Sequence, residues 1–365
     1  ILASVSAVAN AQDKLPEPGV RPPLRLVKER PASPQSTAAK VAVRLLVTDE
    51  AVHKAVELKA DEAPADKLKK VRVHQPYALK LTGIPISKNE VVTTSLHPRA
   101  ELRIECALPN GTVVRATLVG TDPLSNIALI RMPVELPQHV ELGDDPAVRF
   151  DNVTLVGHRE HNVHEMVGFV TRTHCGVTVR DLYGVNRGAP FNLGSIFVVA
   201  APPAHLNCGT ACIDDAGQLV GLLVGAMPRL AKQADDPQGR VRFYEENFVV
   251  PASRIAFIVD QLRRHGRVVR SHYGFEITPA SKAMHAQFSM PDSASVVIAV
   301  EPDGPASKAG IMRHDVVLAV NGKNYRDMHM LGEAMTDLPP GERVKLRLLR
   351  DGQQIELGVT PTERE

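Results

Sequence analysis

One stretch decides the fold: residues 206–221, which read LNCGTACIDDAGQLVG. In it a polar turn leads into a short apolar run, and a second turn at Gly217 leads into another apolar run. The same alternation of short β-branched runs with turn residues extends from about residue 71 to residue 251. Asn110 and Gly111 together form a strong hairpin signal between two of these runs. Strands at this spacing predict an all-β sandwich or a pair of barrels.

Length and composition indicate folded globular domains. The chain has 365 residues, of which 44% are hydrophobic, so we expect two or three domains with sizeable cores. The net charge of +2 gives no reason to expect nucleic acid or an anionic membrane as the main partner. No run is long and apolar enough for a membrane helix, so we predict no integral membrane segment.

The first 75 residues fall into three predicted segments. Residues 1–11, ILASVSAVANA, are similar to the back half of a secretory signal peptide, although an unrelated alanine-rich terminus would read the same way. A signal peptide predicts a secreted or periplasmic protein. Residues 12–40 are rich in proline, alanine and serine, which predicts an extended leader without a fold of its own. Residues 41–75 form an N-terminal segment that we expect to hold a strand or helix and a charged surface loop.

A polar loop and a helix close the predicted β region. Residues 228–246 are polar and charged, which predicts a surface insertion. Residues 252–265 have helical periodicity and are followed by Gly266, a stop signal, so they predict a closing helix. From residue 268 onward the pattern changes to that of a small α+β module.

Three stretches carry a resemblance to a known family. Residues 83–96, GIPISKNEVVTTSL, and residues 119–129, VGTDPLSNIAL, are similar to segments of trypsin-like proteases of the HtrA/DegP family. Residues 206–221 are similar to the nucleophile segment of the same family, and the likeness is closest over residues 81–131. The resemblance implies an all-β, double six-stranded barrel of the trypsin type over residues 76–265.

The residues at the family's catalytic positions depart from its Ser-His-Asp triad. By resemblance, the catalytic histidine falls on Leu96 and the catalytic aspartate on Asn126. Counting back from the following glycine turn places the nucleophile at Cys208 and the oxyanion glycine at Leu206, whereas counting forward from the preceding strand places the nucleophile at Gly209. A protease needs a base to accept the nucleophile's proton, and leucine cannot do this. We therefore predict a pseudoprotease rather than a working enzyme.

A rival hypothesis retains proteolysis with a cysteine nucleophile. Cys208 would attack, because thiolates are good nucleophiles, and His97 would serve as its base. Asn126 could then orient the imidazole, as asparagine does in papain-like enzymes. Against this, neighbouring residues on a strand face opposite sides, and His97 precedes Pro98 in an expected turn. Cysteine usage fits an exported protein with one or two disulfides, and the pairing is open among Cys106, Cys175, Cys208 and Cys212.

A third hypothesis is a zinc-binding structural protein. It depends on one run, residues 158–165, HREHNVHE, which contains His158, His161 and His164. Three imidazoles can bind zinc. On a hairpin or loop, however, this spacing does not define a ligand geometry, so we favour solvated loop histidines and expect no metal and no cofactor.

The C-terminal module resembles a PDZ domain of the bacterial, HtrA-attached kind. The resemblance rests on residues 270–277, 296–300, 304–311 and 315–322, and the domain that it implies covers residues 268–362. By resemblance, the partners are polypeptide C-termini or unfolded protein segments. The resemblance also implies assembly as a homotrimer through the protease domain.

The predicted peptide site of this module combines a loop, a strand edge and a helix. By resemblance, Tyr273-Gly274-Phe275 is the loop whose backbone N–H groups bind a C-terminal carboxylate, and the strand after it offers a free edge to the peptide. Methionine side chains suit a permissive pocket, although core packing is the alternative role for the apolar residues. The predicted binding residues are Arg270, Tyr273, Gly274, Phe275, Ile277, Met328, Leu331 and Met335.

Overall fold

The computed structural model describes residues 37–49, 79–94, 102–143, 151–159, 161–179, 191–202, 206, 208–232, 241–325 and 327–364. The predicted signal segment and the leader up to residue 36 lie outside these ranges. Contacts divide the chain into two compact units, Ile1–Gly266 and Arg267–Glu365. The end of the predicted leader forms helix α1 (Thr37–Val41), in which Ala38 is fully buried, although we expected no fold there.

A closed six-stranded barrel forms the first half of unit 1. Its strands are β1 (Val43–Asp49), β2 (Leu79–Pro85), β3 (Glu90–Thr94), β4 (Leu102–Ala107), β5 (Val113–Asp122) and β6 (Ile127–Arg131). They pair in the order β1-β2-β3-β6-β5-β4. Strand β1 lies in the segment that the sequence set apart from the barrel, yet its Leu45 is fully buried in the barrel core. The predicted hairpin joins β4 to β5, where Gly111 has a φ of +85°.

A second closed barrel repeats this arrangement. Its strands are β7 (Asn152–Arg159), β8 (Asn162–Val179), β9 (Phe191–Ala201), β10 (Ala211–Ile213), β11 (Leu219–Lys232) and β12 (Val241–Pro251). Starting from β7, the closed order is β7-β8-β9-β12-β11-β10, the same order as in the first barrel. The two antiparallel barrels confirm the predicted fold class. The surface insertion predicted at residues 228–246 is wrong in part, because β11 and β12 continue through both its ends and pair as far as Lys232 and Val241, which satisfies their backbone groups despite the polar side chains.

Helix α2 (Ala252–His265) follows the second barrel and spans the residues predicted for it. It ends at Gly266, whose φ of 70° allows its N–H to donate to the Leu262 carbonyl. The helix is tied to the first barrel by Arg263, whose Nε donates to Oε2 of Glu90 at 3.0 Å. Burial opposes ionisation of Glu90, but the hydrogen bonds and charges of Arg263 and Arg131 outweigh it and hold the pKa of the Glu90 carboxyl below its usual value.

Unit 2 is the expected α+β module. Its elements are β13 (Ser271–His272), β14 (Phe275–Pro279), α3 (Lys282–Phe288), β15 (Ser295–Val300), α4 (Pro305–Lys308), β16 (Val316–Val320), α5 (Met328–Asp337), β17 (Val344–Arg350), β18 (Gln353–Val359) and β19 (Thr362–Glu363). Five strands form one sheet in the order β14-β15-β16-β17-β18, and β13 pairs with β19. Among the described strands, β14 pairs on one side only, so its other edge is open.

Candidate functional site

Hydrogen bonds from both barrels converge on the carbonyl oxygen of Leu223, a residue of β11. Thr94, the last residue of β3, donates its Oγ1 to this oxygen at 2.9 Å, and Gly209 donates its backbone N–H to it at 3.3 Å. Nearby, Thr82 in β2 donates its backbone N–H to the Cys208 carbonyl at 2.8 Å. We call these five residues the seam. The seam joins the end of β3 in one barrel to the turn before β10 in the other.

Asn126 lies at the same end of the first barrel. The last pair of the β3–β6 ladder joins Thr94 to Ile127, which directly follows Asn126. Asn126 is buried and has a φ of 62°, a left-handed conformation that asparagine tolerates better than most residues. The turn between β5 and β6 therefore gives Asn126 a structural role. Leu96 and His97 follow β3 in the chain but lie outside the described residues.

Gly209 has no room for a side chain. Its φ is +84°, and a Cβ on it would stand 2.0 Å from the Thr82 carbonyl oxygen and 2.5 Å from Thr93 Oγ1. The nearer of these atoms is backbone and cannot rotate away. A serine or cysteine would not fit this backbone at position 209. The N–H of Gly209 is also donated to Leu223 rather than aimed at a substrate oxyanion.

Of the two candidate positions for the nucleophile, 208 and 209, only 208 therefore carries a side chain. Cys208 is half-buried, and its side chain packs against the apolar core of the first barrel. Leu206, in the place of the family's oxyanion glycine, packs against the core of the second barrel. Catalytic cysteines lie in electropositive, partly exposed surroundings, whereas this core is aliphatic. The packing of Cys208 is typical of a structural cysteine.

His158 is connected to the seam through its backbone. Its N–H donates to Thr82 Oγ1 at 2.8 Å. Its ring is buried, and within the part of the chain that the structure describes the ring Nδ1 makes no hydrogen bond, to Cys208 or to any other residue. Burial, with the charges of Arg44 and His164, lowers the pKa of His158 to about 4. The imidazole is therefore neutral at pH 7 and belongs to the protein interior.

The three histidines of the predicted zinc run do not converge. They lie on the β7–β8 hairpin, where His164 pairs with Gly157, the neighbour of His158 in β7. His158 and His164 therefore point to opposite faces of the hairpin. His161, in the turn, contacts Arg44 through its Nδ1. In the described ranges no three ligating side chains are grouped so that they could hold a metal, and the geometry gives the zinc hypothesis no support.

Two of the four cysteines are core thiols. Cys106 lies in the core of the first barrel and Cys212 in the core of the second, both fully buried. Burial raises the pKa of Cys106 to about 12, and burial with the charge of Asp214 raises the pKa of Cys212 further. The alternative with two disulfides is therefore wrong. The side chain of Cys175 lies outside the described residues.

The predicted carboxylate loop in unit 2 has a fixed backbone. Gly274 has a φ of +71°. The carbonyl of Tyr273 accepts from the Ala306 N–H at 2.9 Å, and the carbonyl of Gly274 accepts from the Glu301 N–H at 2.8 Å. In a trans peptide the C=O and N–H groups point in opposite directions. The N–H groups of Gly274 and Phe275 therefore point away from Ala306 and Glu301, as a nest for an anion requires.

The apolar residues predicted for the peptide site divide into core and surface. Tyr273, Leu331 and Met335 are buried in the core of unit 2, and the Tyr273 hydroxyl donates to the Met335 carbonyl at 3.0 Å. Burial raises the pKa of Tyr273 above its usual value. In contrast, Phe275, Ile277 and Met328 are only half-buried. The latter three can still contact a peptide beside the open edge of β14.

Arg270, predicted to add charge near the carboxylate, is a buried residue. It is 6% exposed, and its carbonyl accepts the N–H of Arg364 at 2.8 Å, beside the β13–β19 pair. Its contribution to ligand binding stays a prediction.

Sequence reasoning missed a carboxylate beside this loop. Oε2 of Glu301 lies 2.7 Å from His272 Nε2 and 3.1 Å from the point at which a Cβ on Gly274 would stand. The side chains of His272 and Glu301 are 43% and 56% exposed. One signal could have found the contact: Glu301 directly follows the β15 run, and antiparallel pairing of β15 with β14 places it opposite Gly274.

Two protein-family models match the chain: a trypsin-like peptidase domain over residues 81–222 and a PDZ domain over residues 283–360. Among curated proteins, a probable periplasmic serine endoprotease, DegP-like, from Brucella suis is 28% identical over 292 residues, which are 79% of this chain and 53% of the relative. The serine endoprotease DegS of Escherichia coli is 26% identical over 297 residues, which are 77% of this chain and 76% of DegS. The chain thus spans about half the length of the Brucella relative.

Solved structures share the fold. The HtrA-type protease AlgW, solved with a tripeptide, matches with a TM-score of 0.63 at 19% identity and covers 90% of this chain and 95% of its own. The serine endoprotease from Yersinia pestis matches with a TM-score of 0.55 at 20% identity and covers 91% and 100%. At these identities the likeness supports the fold alone.

Fold and matched domains define a class in which a trypsin-like peptidase domain precedes a PDZ domain. DegP-like and DegS proteases are relatives that align along most of this chain. The chain belongs to the HtrA family. None of the helices in the described ranges is both long and apolar enough to cross a membrane.

Proposed function

We propose that this chain is a catalytically inactive HtrA-family protein of the periplasm that binds polypeptides through its PDZ domain as a scaffold, adaptor or holdase. The signal-like residues 1–11 and the DegP-like relatives, which are named as probable periplasmic endoproteases, support the location. The homotrimer implied by the family resemblance is part of the proposal. Light scattering of the purified chain tests it, with a mass three times that of one chain expected.

The observation that carries the loss of activity is the packing at the seam. Cys208 packs against an aliphatic core, and its neighbour Gly209 cannot accept a side chain. A nucleophile needs an adjacent base, and leucine at position 96 cannot supply one. Removal of a protease nucleophile or its base costs about 10⁶-fold in kcat. A site with no activated nucleophile and no base would leave no useful hydrolysis.

Support for peptide binding comes from unit 2. The open edge of β14 can add a strand through main-chain hydrogen bonds, and half-buried Phe275, Ile277 and Met328 offer apolar surface beside it. Unlike catalysis, this mode of binding requires no titrating side chain. The unit can therefore bind a peptide whether or not unit 1 hydrolyses it.

The test uses a reduced, carboxymethylated and fluorescein-labelled protein as the unfolded substrate. Wild type and Cys208→Ala are each incubated with it, with trypsin as the positive control. We expect binding by fluorescence anisotropy, and no release of labelled peptide above the blank from either form. Hydrolysis by the wild type contradicts the proposal, and its loss in Cys208→Ala would support the rival cysteine peptidase. Failure to bind contradicts the binding role.

A further inference from the structure

We infer that Glu301 makes the peptide site of unit 2, which consists of the open edge of β14 and the loop before it, discriminate against free C-termini, so that its ligands are internal apolar segments of unfolded polypeptides. This inference rests on the proposed binding function and narrows it. The feature that carries it is the carboxylate of Glu301, which lies beside Gly274, one of the two residues whose N–H groups would bind a C-terminal carboxylate.

The position of Glu301 is fixed by its backbone. Its N–H donates to the Gly274 carbonyl at 2.8 Å. This hydrogen bond extends the β14–β15 pairing one residue beyond the pair formed by Phe275 and Val300. Its side chain turns toward the same glycine, because Oε2 lies 3.1 Å from the site of a Gly274 Cβ. His272 Nε2, at 2.7 Å from Oε2, holds the carboxylate there. Glu301 is therefore a neighbour of the loop and not a freely swinging surface side chain.

A carboxylate bound to the N–H groups of Gly274 and Phe275 would be close to that of Glu301. With hydrogen bonds of ordinary length, the two groups would lie roughly 5–8 Å apart. Two like charges at this distance, partly screened by water, weaken binding by about three- to tenfold. A chain that continues past the loop, or one that ends in a carboxamide, brings no such charge. The apolar contacts to Phe275, Ile277 and Met328 are the same for both kinds of ligand.

The test compares peptide acids with peptide amides on the full chain. A panel of fluorescein-labelled decapeptides ends in Val, Leu, Ile, Phe or Met, and each peptide is made as the free acid and as the C-terminal amide. Affinities are measured by anisotropy at pH 8. The variants are Glu301→Gln and, as the matched control, Glu356→Gln. Glu356 lies on β18, at the opposite edge of the sheet from β14.

We expect wild type and Glu356→Gln to bind each amide at least as tightly as its acid. Glu301→Gln should tighten the acids by about three- to tenfold and leave the amides unchanged. An unchanged acid-to-amide ratio in Glu301→Gln would overturn the inference, while the binding role would stand. If no acid or amide of the panel binds to any form, the proposed function itself fails and the inference with it.

Discussion

Two glycines with left-handed backbones mark the two candidate sites, and their surroundings differ. At the seam, a Cβ on Gly209 would meet the Thr82 carbonyl oxygen at 2.0 Å. At the loop of unit 2, a Cβ on Gly274 would meet side-chain atoms of Glu301 and Pro305, both at 3.1 Å. The seam is thus closed by backbone that cannot move independently. The loop is bordered by side-chain atoms about an ångström farther away.

The difference separates two kinds of site. A hydrolytic site needs a nucleophile and a base, each of which is lost with a single side chain, together with oxyanion donors in fixed geometry. A strand-addition site needs only an open edge and N–H groups, which most substitutions leave intact. An HtrA-family chain can therefore lose the first kind of site and keep the second.

The largest effect is expected from Gly209→Ala. The methyl group would collide with the Thr82 carbonyl, and the φ of +84° adds strain of its own, so we expect a loss of about 4 kcal/mol in the free energy of unfolding of unit 1. Urea unfolding followed by circular dichroism measures it. The matched control is Gly217→Ala, which has a φ of +83° but no neighbour within 4 Å and should cost about 1 kcal/mol. Equal losses would mean that the seam is not crowded.

The second prediction compares the loss of stability when each of two carboxylates is neutralised, Glu90 in unit 1 and Glu301 in unit 2. Glu90→Gln breaks charged hydrogen bonds to Arg263 and should cost about 2 kcal/mol at pH 7. Glu301 is 56% exposed, so Glu301→Gln should change stability by less than about 0.5 kcal/mol. The measurement is again urea unfolding.

The pH dependence of the Glu90 effect has a definite sign. The pKa of Glu90 is lower in the folded state than its usual value of 4.5, so the stabilisation is complete above that pH and is lost as the pH falls through the folded-state pKa. The difference between wild type and Glu90→Gln should therefore narrow below pH 4.5. A difference that stays constant down to pH 3 would show that the ion pair is not its cause.

A smaller effect than that of Glu90→Gln is expected from Tyr273→Phe, in the loop of unit 2. The change removes the hydrogen bond from the buried hydroxyl to the Met335 carbonyl and should cost about 1 kcal/mol, seen as a lower melting temperature of unit 2 by calorimetry. Tyr325→Phe is the control, because Tyr325 is a half-buried tyrosine of the same unit. A larger fall in melting temperature for Tyr325→Phe would contradict a stabilising role for this hydrogen bond.

Local patterns in the sequence predict much of the fold. The apolar spacing of residues 252–265 and the glycine after them give helix α2 its observed ends, because a cap and a stripe are local features. The hairpin at Gly111 and the helical spacing of Met328, Leu331 and Met335 are local in the same sense, and the structure confirms both. Sequence reasoning also brought positions 126 and 208 into one site, through the family resemblance.

Features that depend on partners distant in the chain escaped the sequence. β1 lies in the first barrel because it pairs with β4, more than fifty residues away, and no local pattern indicates that partner. The packing of Cys208 and the lack of space at Gly209 depend on β2 and on the core of the other barrel. Glu301 acts on a loop that only strand pairing brings close. The sequence therefore predicts positions for the site but not its contacts.

The most direct test of the central claim is the alkylation rate of Cys208. Wild type is treated with iodoacetamide between pH 5 and pH 9, and labelling of residue 208 is followed by peptide mass spectrometry, native and in urea. Packing against the first barrel predicts that native Cys208 reacts more slowly than the same thiol in urea at every pH. Faster labelling of the native thiol between pH 5 and pH 7 would reveal an activated nucleophile and contradict the account.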